Sequence, residues 1–239
     1  MSGARAGGVD CGDLYDRVRA EFAEFALAAT PVELAAPVAA APGWVVRDLL
    51  GHVVGLTADL NASRFPDAGD ADGSGWTGRQ AAERRNLPIA DVVAEWEREA
   101  PRFADGLRMF GYEMGSHFLA DLLVHLHDAQ ATLGRAPYAD SLILAVALDH
   151  YTAYLHGRFV EAGWGSVRVE ADGDIWTMGV GPEVATVSGA AYDVLRSLCA
   201  RRSAAQIRRL TWTGDVDGFV ATLSTVLYGT YAVPTDDQP

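Results

Sequence analysis

The sequence predicts an α+β fold: a four-helix bundle over residues 1–162, then a small α+β domain over 163–239. Two observations lead there. Through residue 162 the apolar residues recur at helical spacing in long segments, and after Gly163 the period drops to two. The chain has 239 residues, 49% of them hydrophobic. That is enough for one large domain or two modest ones with real cores. Long amphipathic helices bury their stripes by packing on one another, which makes the first part a bundle.

Residues 1–9 are small and polar and are expected to be loose. Residues 10–30 read as a helix with Leu14, Val18, Phe22, Phe25 and Leu27 as its stripe. Residues 31–42 are an Ala/Pro connector, too punctuated by proline for one regular element. Residues 44–64 form a second helix through Leu49, Leu50, Val53 and Val54, with His52 between Gly51 and Gly55. Residues 65–76 are an Asp/Gly-rich loop. They lack the closing Glu of a calcium loop, and that reading is rejected. Residues 77–86 form a short basic helix carrying Arg79, Arg84 and Arg85. Residues 89–110 are a third long amphipathic helix, and 111–114 a turn. Residues 115–134 are the helix that holds most of the polar chemistry, and 141–162 a further long one. Beyond Gly163, residues 166–171 and 175–180 read as a hairpin and 184–188 as a third strand. A helix follows at 190–200, a fourth strand at 207–213 and a last helix at 216–227. The tail TDDQP is expected to be disordered. No internal repeat is present.

Composition narrows the function. A formal net charge of −13 disfavours a nucleic-acid backbone or an anionic membrane as partner. No apolar run has the length of a membrane span, and the start has no signal-type apolar region. A cytoplasmic protein is expected. Cys11 and Cys199 have no metal-type spacing and make no disulfide framework. Cys199 lies in an apolar helical pattern and reads as core.

The stretch Gly115 to Gly134 places Asp121 and His125 four residues apart, on one helix face. Asp128 stays near that face and His117 lies at its edge, whereas His127 is turned roughly 200° from His125. A carboxylate and an imidazole so spaced can hold a divalent cation from two sides, or simply bond to each other on a half-buried helix. His52 is the third candidate ligand, and its plain alternative is a satisfied core histidine. Together His52, Asp121 and His125 offer two nitrogens and one carboxylate oxygen, with a fourth position open. That is the composition of a catalytic zinc site. Asp128 is placed to orient His125 from behind. Arg79, Arg84 and Arg85, or Arg196, Arg201 and Arg202, can serve as anion clamps or as ordinary surface charge.

Several stretches, in this order, carry a resemblance: WVVRDLLGHVVG, WTGRQAAERRN with ADVVAEWEREAPRF, ADLLVHLHDAQATLG, and SGAAYDVLRSLCARRS with IRRLTWTGD. The chain resembles the mycothiol-dependent maleylpyruvate isomerase family, a branch of the DinB-like metal-binding bundles found in actinobacteria. The resemblance implies a DinB-like bundle followed by a sterol-carrier-like domain. It also implies a divalent metal, usually zinc, on His52, Asp121 and His125, and mycothiol as thiol cofactor. The family's carboxylate is a glutamate; here it is Asp121, and His117 is the fallback ligand. The implied partners are a small-molecule electrophile and the thiol, with neither nucleic acid nor membrane. The implied reaction is S-transfer or isomerisation. Two other readings stand beside it: a hydrolase or transferase using metal-bound water, and a non-catalytic bundle that binds a small molecule or a protein. The sequence leaves open the electrophile, the metal and the oligomeric state.

Overall fold

A computed structural model of the chain describes residues 8–70 and 73–227. The fold is α+β, as the change of period predicts, and it divides into two compact units, Asp10–Tyr138 and Ala139 onward. No helix among the described residues is long and apolar enough to cross a membrane.

The first unit is helical. Helix α1 (Cys11–Ala28) starts at Asp10, whose carboxylate accepts the Asp13 N–H at 2.9 Å. The Ala/Pro connector is not wholly irregular: Pro31–Leu34 forms one turn, α2. Proline at the first helical position costs no hydrogen bond, and Thr30 with Glu33 closes a capping box. Helix α3 (Val46–Asn61) follows, then α4 (Ser74–Arg84), α5 (Ile89–Phe110) and α6 (Tyr112–Thr132). The last two are separated by Gly111 alone, at φ 84°, so the expected four-residue turn shrinks to one glycine. Four helices, α1, α3, α5 and α6, pack on one another, and α4 lies against α3. Trp96, Phe22, Leu49, Leu119, Leu123 and Leu126 are fully buried at the centre. The Trp96 indole N–H donates to Tyr15 Oη at 3.2 Å, and that hydroxyl lies 2.8 Å from Thr57 Oγ1. Each buried polar atom of this trio therefore has a partner.

The second unit begins with α7 (Ser141–Ala162). The sequence counts this helix with the bundle, with a boundary after 162. In the structure α7 packs against β2 (Asp174–Gly179) and α8 (Ala191–Leu198), so the division falls after Tyr138. The Trp176 indole N–H donates to the buried Asp149 carboxylate of α7, a partner that strand periodicity cannot reveal. The sheet also contains β1 (Ser166–Ala171), β3 (Glu183–Gly189) and β4 (Thr211–Gly214), in the order β2-β1-β3-β4. β1 pairs antiparallel with β2 and parallel with β3, and β3 pairs antiparallel with β4. Val167, Val169, Trp176, Met178, Ala185 and Val187 form its buried side. Residue 207, expected in the fourth strand, instead closes a short helix, α9 (Ala204–Ile207), capped by Ser203 and Gln206. Helix α10 (Val216–Leu227) completes the described chain. The expected loose start at 1–7 and the tail TDDQP lie outside the described residues.

Glu33 ties the α2 corner to the end of α6. Its carboxylate accepts from the Thr30 N–H and hydroxyl, and from Arg135 at 2.9 Å. These donors, the Thr30 backbone first, bring its pKa down from 4.5 to about 2. A folded-state value below the unfolded one contributes stability that is complete above about pH 4.5 and is lost as pH falls toward 2. We expect Glu33→Gln to lower the Tm at pH 7, with the gap to wild type closing between these two pH values in a series of thermal melts.

Candidate metal centre and its cavity

His52 sits one residue after Gly51 and three before Gly55 on α3, and these glycines let α4 approach. A Cβ on Gly51 would meet the Ala81 backbone at 3.3 Å. A Cβ on Gly55 would lie 2.5 Å from Gln80 Cβ and 2.7 Å from an Arg84 guanidinium nitrogen. The close approach brings Gln80, fully buried on α4, to His52: Nδ1 and Oε1 are 2.9 Å apart.

The amide is oriented from behind. Gln80 Nε2 donates to Asp59 Oδ2 at 2.9 Å, and Asp59 also accepts from Arg79 and Arg64, each at 2.7 Å. A carboxylate accepts only, so the amide nitrogen faces Asp59 and the amide oxygen faces His52. His52 must then donate through Nδ1–H, which leaves the Nε2 lone pair for a ligand. Burial, with help from His125, pushes the His52 pKa down from 6.5 to about 4. The imidazole is neutral at pH 7, the form in which it can coordinate.

The other two groups project from α6. Asp121 Oδ1 and His125 Nε2 are 3.5 Å apart, and the His52 and His125 rings meet edge to face at 5.0 Å between centroids. One ligand atom from each of His52, Asp121 and His125 lies within 4.8 Å of the others, which makes them a group able to hold a metal ion. Burial raises the Asp121 pKa, but His125, His52 and His117 outweigh it and hold the carboxyl well below its ordinary range. Two imidazoles and one carboxylate, with ligand bonds of about 2 Å, suit a divalent ion after small side-chain shifts. Asp128, fully buried, stands 3.9 Å from His125 Nδ1, behind the ligand but beyond hydrogen-bond length. His117 is not among the three grouped residues; it lines the neighbouring cavity. His127 faces away, as its position on the helix predicts, and its Nε2 lies 2.9 Å from the Tyr138 carbonyl.

Most of the candidate anion-binding arginines are engaged with neighbours of the chain itself. Arg79 pairs with Asp59 and Glu83, Arg84 with Glu95, and Arg85 with Asp48. In the second unit Arg196 is buried, Arg201 donates to the Cys199 carbonyl, and Arg202 lies over the Tyr192 ring and 3.5 Å from Asp193.

Beside the cluster opens a cavity of about 700 Å³, a size that suits a small molecule. His52, His117 and Asp121 are its ionisable lining residues, and the walls are otherwise mostly apolar: Leu56, Leu60, Phe103, Leu107, Met114 and Phe118 among them. Trp76 also lines it. Asp70 accepts the Gly75 and Trp76 N–H groups, which fixes the start of α4. The Trp76 indole N–H is buried without a hydrogen-bond partner.

Reading by residue type missed Gln80, Asp59 and Trp76. Gln80 precedes Arg84 and Arg85 on a helix that reads as merely basic, and Trp76 falls in what reads as the loop before it, whereas α4 already begins at Ser74. The one available signal was the glycine pair around His52, which marks a close approach without naming what approaches.

Residues 15–116 match the family model described as the mycothiol maleylpyruvate isomerase N-terminal domain. The match includes His52 and ends before Asp121 and His125. In the solved structures, the mycothiol-dependent maleylpyruvate isomerase superposes with a TM-score of 0.55 at 12% identity, covering 86% of this chain and 92% of that one. A histidine-to-alanine variant of a mycothiol-dependent maleylpyruvate isomerase superposes at 0.53 and 11% over the same shares. No curated protein sequence matches the chain. The family resemblance of the sequence is thus borne out, and at such low identity the structural likeness is one of fold.

The α3–α4 contact makes a paired prediction. Gly55→Val should overpack against Gln80 and cost about 1–3 kcal/mol in urea unfolding. Gly78 is also helical but has nothing within 4 Å of an added Cβ. Gly78→Ala should therefore leave stability unchanged or raise it by roughly 0.5–1 kcal/mol.

Proposed function

We propose that the protein is a metal- and mycothiol-dependent enzyme that carries out S-transfer to, or isomerisation of, an electrophilic small molecule. The observation that carries this reading is the convergence of His52, Asp121 and His125, the first two of which line a ligand-sized cavity. The family match supports the thiol as co-reactant. A divalent cation bound there would supply a Lewis-acid position that favours the thiolate form of a small thiol.

The chain's own residues do the rest. His52 and His125 offer imidazole nitrogens, and Asp121 adds a negative charge that offsets a cation's. Gln80 holds the His52 ring in one tautomer, and Asp59 with its arginines holds Gln80. The apolar walls keep water from the reacting groups. The protein's own thiols are unsuited to the nucleophile's part: burial, then the Asp10 charge, pushes Cys11 up to about 11, and Cys199 is a buried group of the second unit.

Zinc is the metal we expect. Protein purified without chelator should carry about one zinc per chain or gain Tm on adding it. Free metal at 100 times Kd corresponds to about 2.7 kcal/mol. His52→Ala should abolish both effects and keep its helical circular dichroism; stoichiometric zinc in that variant would exclude His52 as ligand. Gln80→Leu should retain the fold and weaken zinc binding by about 10–100-fold, as loss of a partner behind a ligand does. Turnover that needs no thiol would instead assign the reaction to bound water. Stability indifferent to zinc and chelator would favour a binding module.

A further inference from the structure

We propose that the cavity beside the His52–Asp121–His125 cluster takes a neutral, mainly apolar small molecule bearing one hydrogen-bond acceptor, and that it excludes dicarboxylates. The inference deepens the preceding reading, because it names the class of electrophile the enzyme would take.

Charge is the first ground. No arginine or lysine lines the cavity among the described residues. Arg79 and Arg84 of α4 and Arg85 just after it pair with Asp59, Glu95 and Asp48, and Arg64, between the lining residues Ser63 and Phe65, pairs with Asp59. Among the described residues the only anionic lining group is Asp121. A dianion entering here would lose its hydration against apolar walls and meet a carboxylate. One bound cation can answer one such charge and not two.

Shape and polarity are the second ground. The apolar lining continues to the mouth, where Phe65, Phe110 and Met114 are 65%, 68% and 44% exposed. An aromatic or aliphatic body covers such surface with a gain that grows with its area. Within this lining the Trp76 indole N–H is buried and lacks an acceptor. A buried donor without a partner is costly, and a ligand carbonyl would relieve that cost. Asp70 and the start of α4 fix the backbone that carries this ring.

The test uses the full chain, without thiol, as metal-free and as zinc-treated protein. Nile red is titrated and then displaced with N-methyl-, N-hexyl- and N-phenylsuccinimide, and with succinate and maleate. Saturable Nile red binding is expected, with displacement tightening about tenfold or more from the methyl to the hexyl compound and none by the diacids. Gly106 lines the cavity, and a Cβ there meets nothing within 4 Å. Gly106→Leu should therefore fill the space, weaken displacement by about tenfold or more, and hold or raise the Tm. Trp76→Phe should weaken the succinimides, which carry acceptors, at unchanged Tm. Displacement by diacids as strong as by the neutral series, affinity independent of chain length, or wild-type binding in Gly106→Leu would each overturn the proposal. Neutral-ligand binding that survives in a protein unable to bind zinc would keep this inference and remove the metal-dependent reading. Zinc binding with diacid displacement would do the reverse.

Discussion

The contact between α3 and α4 is the constraint on which the site depends. Two helices can come this close only where one of them lacks side chains, and Gly51 and Gly55 provide that gap. Through it passes the hydrogen-bond chain from Arg64 and Arg79 to Asp59, to Gln80 and on to His52. Each link fixes the next because each group has only one way to satisfy its partner. Burial of an imidazole is unfavourable for its charged form, and the same burial keeps His52 neutral and its Nε2 lone pair free. A histidine flanked by glycines is thus coupled to Arg79 on the neighbouring helix and to Arg64 just past the end of its own.

That chain also accounts for the arginines. Helix α4 and its C-cap residue carry three of them, Arg79, Arg84 and Arg85, and each meets a carboxylate of α3, α4 or α5. Their charge organises the protein around the site. With the cations so engaged, the cavity beside the cluster stays mostly apolar, and its polar lining is His52, Asp121, His117, Asn61, Ser63, Thr77 and the Trp76 indole. The separation is physical: ion pairs hold the outer layer of the site, and the inner wall contacts whatever enters.

The second unit is organised by a different interaction. Helix α7 is apolar nearly all round and carries one buried acid, Asp149. The Trp176 indole satisfies that acid from β2, so the helix belongs with the sheet. The two units share one rule: a buried polar group meets specific partners, and that pairing decides which elements go together.

The sequence by itself determined the class of fold, nearly all of the helices, three of the four strands and the three clustered residues. Helical period, strand alternation and the four-residue spacing of Asp121 and His125 are local properties, legible wherever the chain is read. His52 was legible because a histidine between two glycines on an apolar helix marks an approach. Only the tertiary structure decided what approaches it, where α7 packs, and which acids the arginines meet. The partners of Asp149 lie 27 residues away, those of Asp59 as many as 21, and those of His52 28. No residue-type rule selects Gln80 from a basic helix or Trp76 from the end of a loop. Their roles arise when packing removes water from one side of α4, leaving the Gln80 amide between His52 and Asp59 and the Trp76 indole without a partner.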